Sequence, residues 1–177
     1  MPHLYKVVLF GPESTGKTTL AAQVAAHYQT VWVPEFSRFY QEQKGAGCDL
    51  EDVIPIAEGQ LQWEAEARSR ASRLLICDTD ILETKVYSEL YNGTCPPWLL
   101  RMLEGNLGDL YLLTAIDLPW VPDGIRDRPH QREEIFRQFK AELEERQLPF
   151  RIISGEPPVR LQKAVRAIDD LLRGREQ

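Results

Sequence analysis

The chain has 177 residues, of which 43% are hydrophobic and 27% charged, and its formal net charge is −6. That is enough apolar material for one domain with a closed core and little for two, so a single domain over 1–177 is expected. The acidic balance excludes a general nucleic-acid surface, and with no basic-then-apolar leader and no apolar run near about 18 residues, no membrane partner and a cytoplasmic setting are expected.

Short apolar runs alternate with segments whose apolar residues recur at helical spacing, which predicts an α/β fold: a mostly parallel sheet with helices on both faces. The first run, LYKVVLF over 4–10, reads as a strand and leads into GPESTGKTTL, residues 11–20. Gly11, four residues, Gly16, Lys17 and Thr18 is the P-loop spacing, and the strand before it and the helix predicted over 17–28 give that spacing its meaning. Gly11 and Gly16 allow backbone angles that a Cβ closes, so the chain through Glu13, Ser14 and Thr15 can turn its N–H groups inward on an anion. The helix beginning near Gly16 adds free N–H groups and the positive end of its dipole. Lys17 would then reach the β- and γ-phosphates of ATP and the Thr18 hydroxyl would ligate Mg²⁺, while Thr19, at the rim of the nucleotide site, supports the first turn.

The second strand, TVWVP over 30–34, is followed by PEFSRFY. Glu35 is placed to face the γ-phosphate and take the proton of an acceptor hydroxyl, and Arg38, one helical turn on, to hold a phosphate or pair with Glu35. A surface ion pair at a helix start is the plain alternative. A long helix is predicted over 50–72, with Pro55 acceptable only in its first turn. The strand RLLICD, 73–78, ends at Asp78, the position of an acid that orients Mg²⁺, although many strands stop at an Asp that caps the next helix. Asp80 reads equally as a substrate ligand and as the N-cap of the helix running through Lys85 to Tyr91.

DLYLLT over 109–114 is the fourth strand, and Arg126, Arg128 and Arg132 follow in a Pro/Gly-bounded segment. As a lid over 121–132, that segment would exclude water and bring guanidinium groups onto the phosphoryl group, with Arg126 assigned to catalysis and Arg132 to the nucleotide. A solvated loop balanced by Asp123 and Asp127 is the alternative. A helix over 131–147, a fifth strand PFRIIS over 149–154, the loop SGEPPVR suited to packing on a purine, and a helix over 158–173 with Gly174 as its C-cap complete the chain. The aromatics Phe36, Phe39, Tyr40, Trp63, Tyr87, Tyr91, Trp98 and Trp120 all fall outside the strands; most read as core, and one or two as a stacking face for a flat cationic ring. Cys48, Cys77 and Cys95 are widely spaced and point to neither a disulfide framework nor a zinc site.

With these residues placed, the sequence resembles the ribosylnicotinamide kinase domain of the NadR family, through GPESTGKTTL, VPEFSR, IAEGQ, ICDTDILETKVYSELYNG and YLLTAIDLPWVPDGIRDRP. The resemblance covers nearly the whole chain and implies a five-stranded P-loop NTPase fold and ATP-dependent phosphorylation of nicotinamide riboside at its 5′-hydroxyl, giving nicotinamide mononucleotide for NAD salvage. It implies that Gly11, Gly16, Lys17 and Thr18 hold ATP and Mg²⁺, that Glu35, Arg38, Asp78 and Asp80 border the ribose and γ-phosphate, and that Lys85, Tyr87 and nearby aromatics, with Trp120, shape the nucleoside pocket. Family members often carry an adenylyltransferase domain, sometimes with a DNA-binding segment, ahead of the kinase. Here the first strand begins within a few residues of Met1 and no HxGH motif occurs, so neither the adenylyl step nor a repressor role is expected. The rival readings are a P-loop kinase for another nucleoside or nucleoside monophosphate, and an ATP-binding regulator that transfers nothing. The sequence does not fix the oligomeric state.

Overall fold

The computed structural model describes residues 3–122 and 129–174. Five strands, β1 (Tyr5–Phe10), β2 (Trp32–Val33), β3 (Leu74–Asp78), β4 (Leu110–Thr114) and β5 (Phe150–Ile153), form one sheet in the order β2-β3-β1-β4-β5, every pair parallel. All five coincide with predicted runs. β2 is shorter than the 30–34 expected because it is an edge strand that pairs with β3 alone, through Trp32 and Val33.

β1, β3 and β4 are buried along their whole length, as strands covered on both faces must be. Alternate residues feed two separate cores. Val7, Leu9, Ile76 and Leu112 point to one face and pack with Leu20, Val24 and Ile168. Val8, Phe10, Cys77, Tyr111 and Leu113 point to the other and pack with Ile81, Leu82, Leu99 and Phe139. The helices are α1 (Lys17–His27), α2 (Phe36–Lys44), α3 (Val53–Arg68), α4 (Ile81–Asn92), α5 (Pro97–Leu103), α6 (Arg132–Glu145) and α7 (Pro157–Arg173). α1 and α7 serve the first core, α3 to α6 the second.

The helix expected over 50–72 is divided at its start. A 3₁₀ turn at Leu50–Asp52 comes first, closed by a capping box in which Glu51 N donates to the Asp49 carboxylate (3.0 Å) and Asp49 N to that of Asp52 (2.8 Å). Pro55 is then the third residue of α3, where its missing N–H costs no helical bond. α5, which begins at Pro97, has no counterpart in the sequence reading.

Register brings the functional segments together. Leu9 pairs with Asp78 and Phe10 with Leu113, so the loop after β1, the end of β3 and the segment after β4 leave the sheet side by side at its carboxyl edge, where open α/β sheets collect ligands.

Candidate active site

The loop after β1 curls because its glycines permit it. Gly11 takes φ 137° and Gly16 φ 81°. A Cβ on Gly11 would lie 2.9 Å from Thr114 Oγ1, so the end of β4 leaves no room for a side chain there. Thr15 turns its hydroxyl into the protein, donating to Pro12 O (2.7 Å) and lying 2.6 Å from Thr114 Oγ1; it shapes the loop, and only its backbone faces outward. Lys17 Nζ donates to the carbonyls of Gly11 and Pro12, each at 2.8 Å, and sits 3.6 Å from Glu83 Oε1.

Arg160, from α7, locks this loop in place. It is 2% exposed, and its guanidinium donates to Thr15 O (2.6 Å), Gly155 O (2.7 Å) and Ala115 O (3.0 Å) and pairs with Asp117. Three strand-end loops are thereby joined at one group. Replacing Arg160 with Ala leaves the buried Thr15 carbonyl and the half-buried carbonyls of Gly155 and Ala115 without this donor, and is expected to cost about 3 kcal/mol in urea unfolding and to raise KM for the nucleotide more than it lowers kcat.

Asp78 stands opposite the loop. Its Oδ2 accepts from Thr18 Oγ1 at 2.5 Å, while its buried Oδ1 has no hydrogen-bond partner among the described residues. Burial, and next the nearby Glu35, push its pKa up to about 6 against the opposing pull of Lys17, the Thr18 hydroxyl and Arg38. Glu83, in the first turn of α4, is 3% exposed and its Oε2 likewise lacks a partner among the described residues. Burial drives its carboxyl well above the usual range; Lys17 opposes this, and Glu35, Asp78 and Asp80 add to it. Glu35, the N-cap residue of α2, accepts from Ser37 Oγ at 2.7 Å.

Glu35 and Glu83 border one cleft of about 480 Å³, and Asp78 lies behind its lining, joined to it through Thr18. Glu13 to Thr19 form its floor, Glu35, Ser37 and Arg38 one wall, and Glu83, Thr84, Tyr87 and Tyr91 the other, with Leu118 and Val121 at the rim. Tyr87 and Tyr91 stack at 5.8 Å, one helical turn apart. Phe36, Phe39 and Trp63 pack on one another, with Phe36 and Trp63 centroids 4.8 Å apart, and belong to the α2–α3 seam.

The structure decides between the two sequence readings of Asp80 and corrects those of Lys85 and Trp120. Asp80 is the N-cap of α4: Leu82 N donates to its Oδ1 (3.0 Å), Tyr111 donates its hydroxyl to Oδ2 (2.7 Å), and Lys6 lies 3.8 Å away, so its carboxylate is spent inside the protein and does not line the cleft. Lys85 points to the other side of α4, where it pairs with Glu142 (2.5 Å) and Glu89 (3.0 Å). Trp120 is half-buried and its indole N–H meets no partner among the described residues; it does not line the cleft, whereas its neighbours Pro119 and Val121 do.

Arg132 spans the rim, donating to Leu118 O (3.0 Å) and Ser14 O (3.2 Å). Arg126, with Arg128, lies outside the described residues. Glu83, Gln60 and Arg160 were not anticipated. Glu83 and Arg160 each sit among the first four residues of the helix that follows a strand, so the rule that ligands gather at the strands' carboxyl ends reaches both; Gln60, in mid-helix, carries no such signal.

Among the described residues no helix is long and apolar enough to cross a membrane, and no three His, Cys, Asp or Glu residues are grouped to hold a metal ion. Over 150 residues the chain is 29% identical to the trifunctional NAD biosynthesis/regulator protein NadR of Escherichia coli K12, a match covering 81% of this chain and 37% of that protein. The chain thus spans little more than a third of this curated relative. The crystal structure of NadR protein in complex with NR matches with a TM-score of 0.80 at 24% identity, over 94% of this chain and 51% of that one. The structure of NadR protein with NAD and AMP-PNP matches at 0.75 and 23%, over 94% and 49%. The two structural likenesses show that the chain shares its fold with part of NadR. The AAA_28 family, an AAA domain, matches residues 6–160, a span that takes in the P-loop, all of the sheet but Tyr5, and both walls of the cleft, and the chain belongs to that family.

Proposed function

We propose that this chain is a kinase that transfers the γ-phosphoryl group of ATP to the 5′-hydroxyl of nicotinamide riboside, giving nicotinamide mononucleotide. The observation that carries the reading is the continuity of the cleft: a P-loop floor with Lys17, the carboxylates of Glu35 and Glu83, and a pair of stacked tyrosines share a single space of about 480 Å³. That volume lies in the range of small-molecule sites. The relatives supply the ligand classes, since NadR binds NR and, in a second complex, the ATP analogue AMP-PNP.

Mg²⁺ fits the residues present. Asp78 has one oxygen on the Thr18 hydroxyl and one without a partner, and a small protein contribution of this kind suits an ion that keeps waters and phosphate oxygens as its other ligands. Thr18 and Asp78 would hold it, and when bound it would neutralise charge on the β- and γ-phosphates. Lys17 would exchange the Gly11 and Pro12 carbonyls for the phosphates and follow the charge as it moves onto the transferring group. The 5′-oxygen attacks the γ-phosphorus, the bond to the β–γ bridging oxygen breaks, ADP leaves, and the hydroxyl proton passes to Glu35. Glu35 suits that role better than Asp78, whose carboxyl is pinned to Thr18 and more deeply buried.

Mass analysis of products from a panel of acceptors with ATP and Mg²⁺ tests the reading. Nicotinamide riboside is expected to gain one phosphoryl group faster than uridine, cytidine, deoxynucleosides and nucleoside monophosphates. Preference for another acceptor would reassign the substrate, and nucleotide binding without any phosphorylated product would make the chain a regulator.

A further inference from the structure

Two motifs far apart in the sequence, VPEFSR and IAEGQ, meet in space, and the function described so far uses only the first. Glu35 is the N-cap residue of α2, yet its side chain makes no capping bond to the helix. Such a helix ordinarily leaves its first N–H groups to water or to a cap. Here the cap comes from α3: the side-chain oxygen of Gln60 accepts from Phe36 N at 3.0 Å. The other end of the same amide donates to Glu64 Oε1 at 3.4 Å, and Glu64 Oε2 accepts from Lys6 Nζ at 2.6 Å. With a donor on one side and an acceptor on the other, only one orientation of the Gln60 amide satisfies both. Gln60 is 2% exposed, Glu64 2% and Lys6 1%. Gly59 completes the seat, since a Cβ there would lie 2.1 Å from the Phe36 ring.

We propose that Gln60 is a positioning residue for phosphoryl transfer: by capping α2 from outside, it frees the Glu35 carboxylate from the capping role its position would give it and holds it toward the cleft. The inference rests on the reading of Glu35 as proton acceptor. Lys6 links the seat to β1 and so to the P-loop, and it lies 3.8 Å from Asp80, which caps α4. One buried polar chain therefore ties the start of α2 to β1, the strand that leads into the P-loop, and to the start of α4.

The test uses Gln60→Met, which keeps the length and loses the acceptor. With nicotinamide riboside and ATP, Gln60→Met is expected to lower kcat about tenfold while KM for ATP changes less than about twofold. In a Glu35→Gln background the Gln60→Met effect should disappear, because a residue that acts through Glu35 has nothing left to act through. Phe36→Leu, which loosens the seat from its other side, carries the same cycle if Gln60→Met does not fold. An unchanged kcat, or an equal loss with and without Glu35, overturns the proposal. Wild-type turnover is measured first, so a wrong substrate is recognised before any variant is compared, and the cycle then runs on the acceptor the panel identifies. Independently of turnover, the Phe36 amide should be protected from hydrogen exchange in the wild type and exposed in Gln60→Met; fast exchange in the wild type overturns the seat itself.

Discussion

Lys17→Ala is expected to lower kcat by about 10³-fold or more while the protein stays folded. Lys17 donates to two loop carbonyls and lies 3.6 Å from the buried Glu83. Truncation removes both interactions, but the fold tolerates it. The Pro12 carbonyl keeps the Thr15 hydroxyl as a donor, and burial already favours the neutral acid form of Glu83. A loss of about 1 kcal/mol in urea unfolding is the expected size. Catalysis has no such substitute, because no other ammonium group lies within the loop and the charge on the transferring group grows toward the transition state. The check is kcat and the unfolding midpoint on the same preparation, with nucleotide affinity by calorimetry. Activity within tenfold of wild type would remove the P-loop from the mechanism.

The legible parts of this protein were those fixed by local sequence. Buried parallel strands show as short apolar runs whatever they pair with, so β1, β3 and β4 stood out, and the P-loop is a motif because its geometry depends on glycines within it. Asp78 could be placed because it ends such a run. Illegible were the residues whose fate is settled by distant partners. Asp80 reads in sequence equally as a ligand and as a cap, and Lys85 as part of a nucleoside pocket, yet Tyr111 and Lys6 claim the first and Glu142 claims the second. Gln60 reads as an ordinary helix-surface amide until α2 docks on it. α5, only seven residues long and opened by Pro97, is held mainly by the burial of Leu99 and Leu103, which its own sequence could not advertise.

Asp78→Asn should separate stability from activity. An acid whose pKa is raised in the folded state, here to about 6 from an ordinary value near 3.9, binds its proton more tightly when folded than when unfolded. Its stabilising contribution is complete below the unfolded value and is lost as pH rises through about 6, so at neutral pH the ionised carboxylate counts against the nucleotide-free fold. Asparagine keeps an oxygen for the Thr18 hydroxyl and carries no charge. The variant is therefore expected to be more stable than wild type by about 1 to 3 kcal/mol at pH 7.5, less so at pH 5.5, as urea unfolding at the two pH values would measure. Turnover should fall about 10²-fold, because the group beside Thr18 that would help hold Mg²⁺ has lost its charge. Saturating Mg²⁺ and ATP should reverse the order of stability, since only the wild type has a carboxylate whose burial the bound ion compensates. A variant less stable than wild type at pH 7.5, or one that turns over within threefold of it, would mean that Asp78 is a structural cap for Thr18 and that another group serves the phosphates.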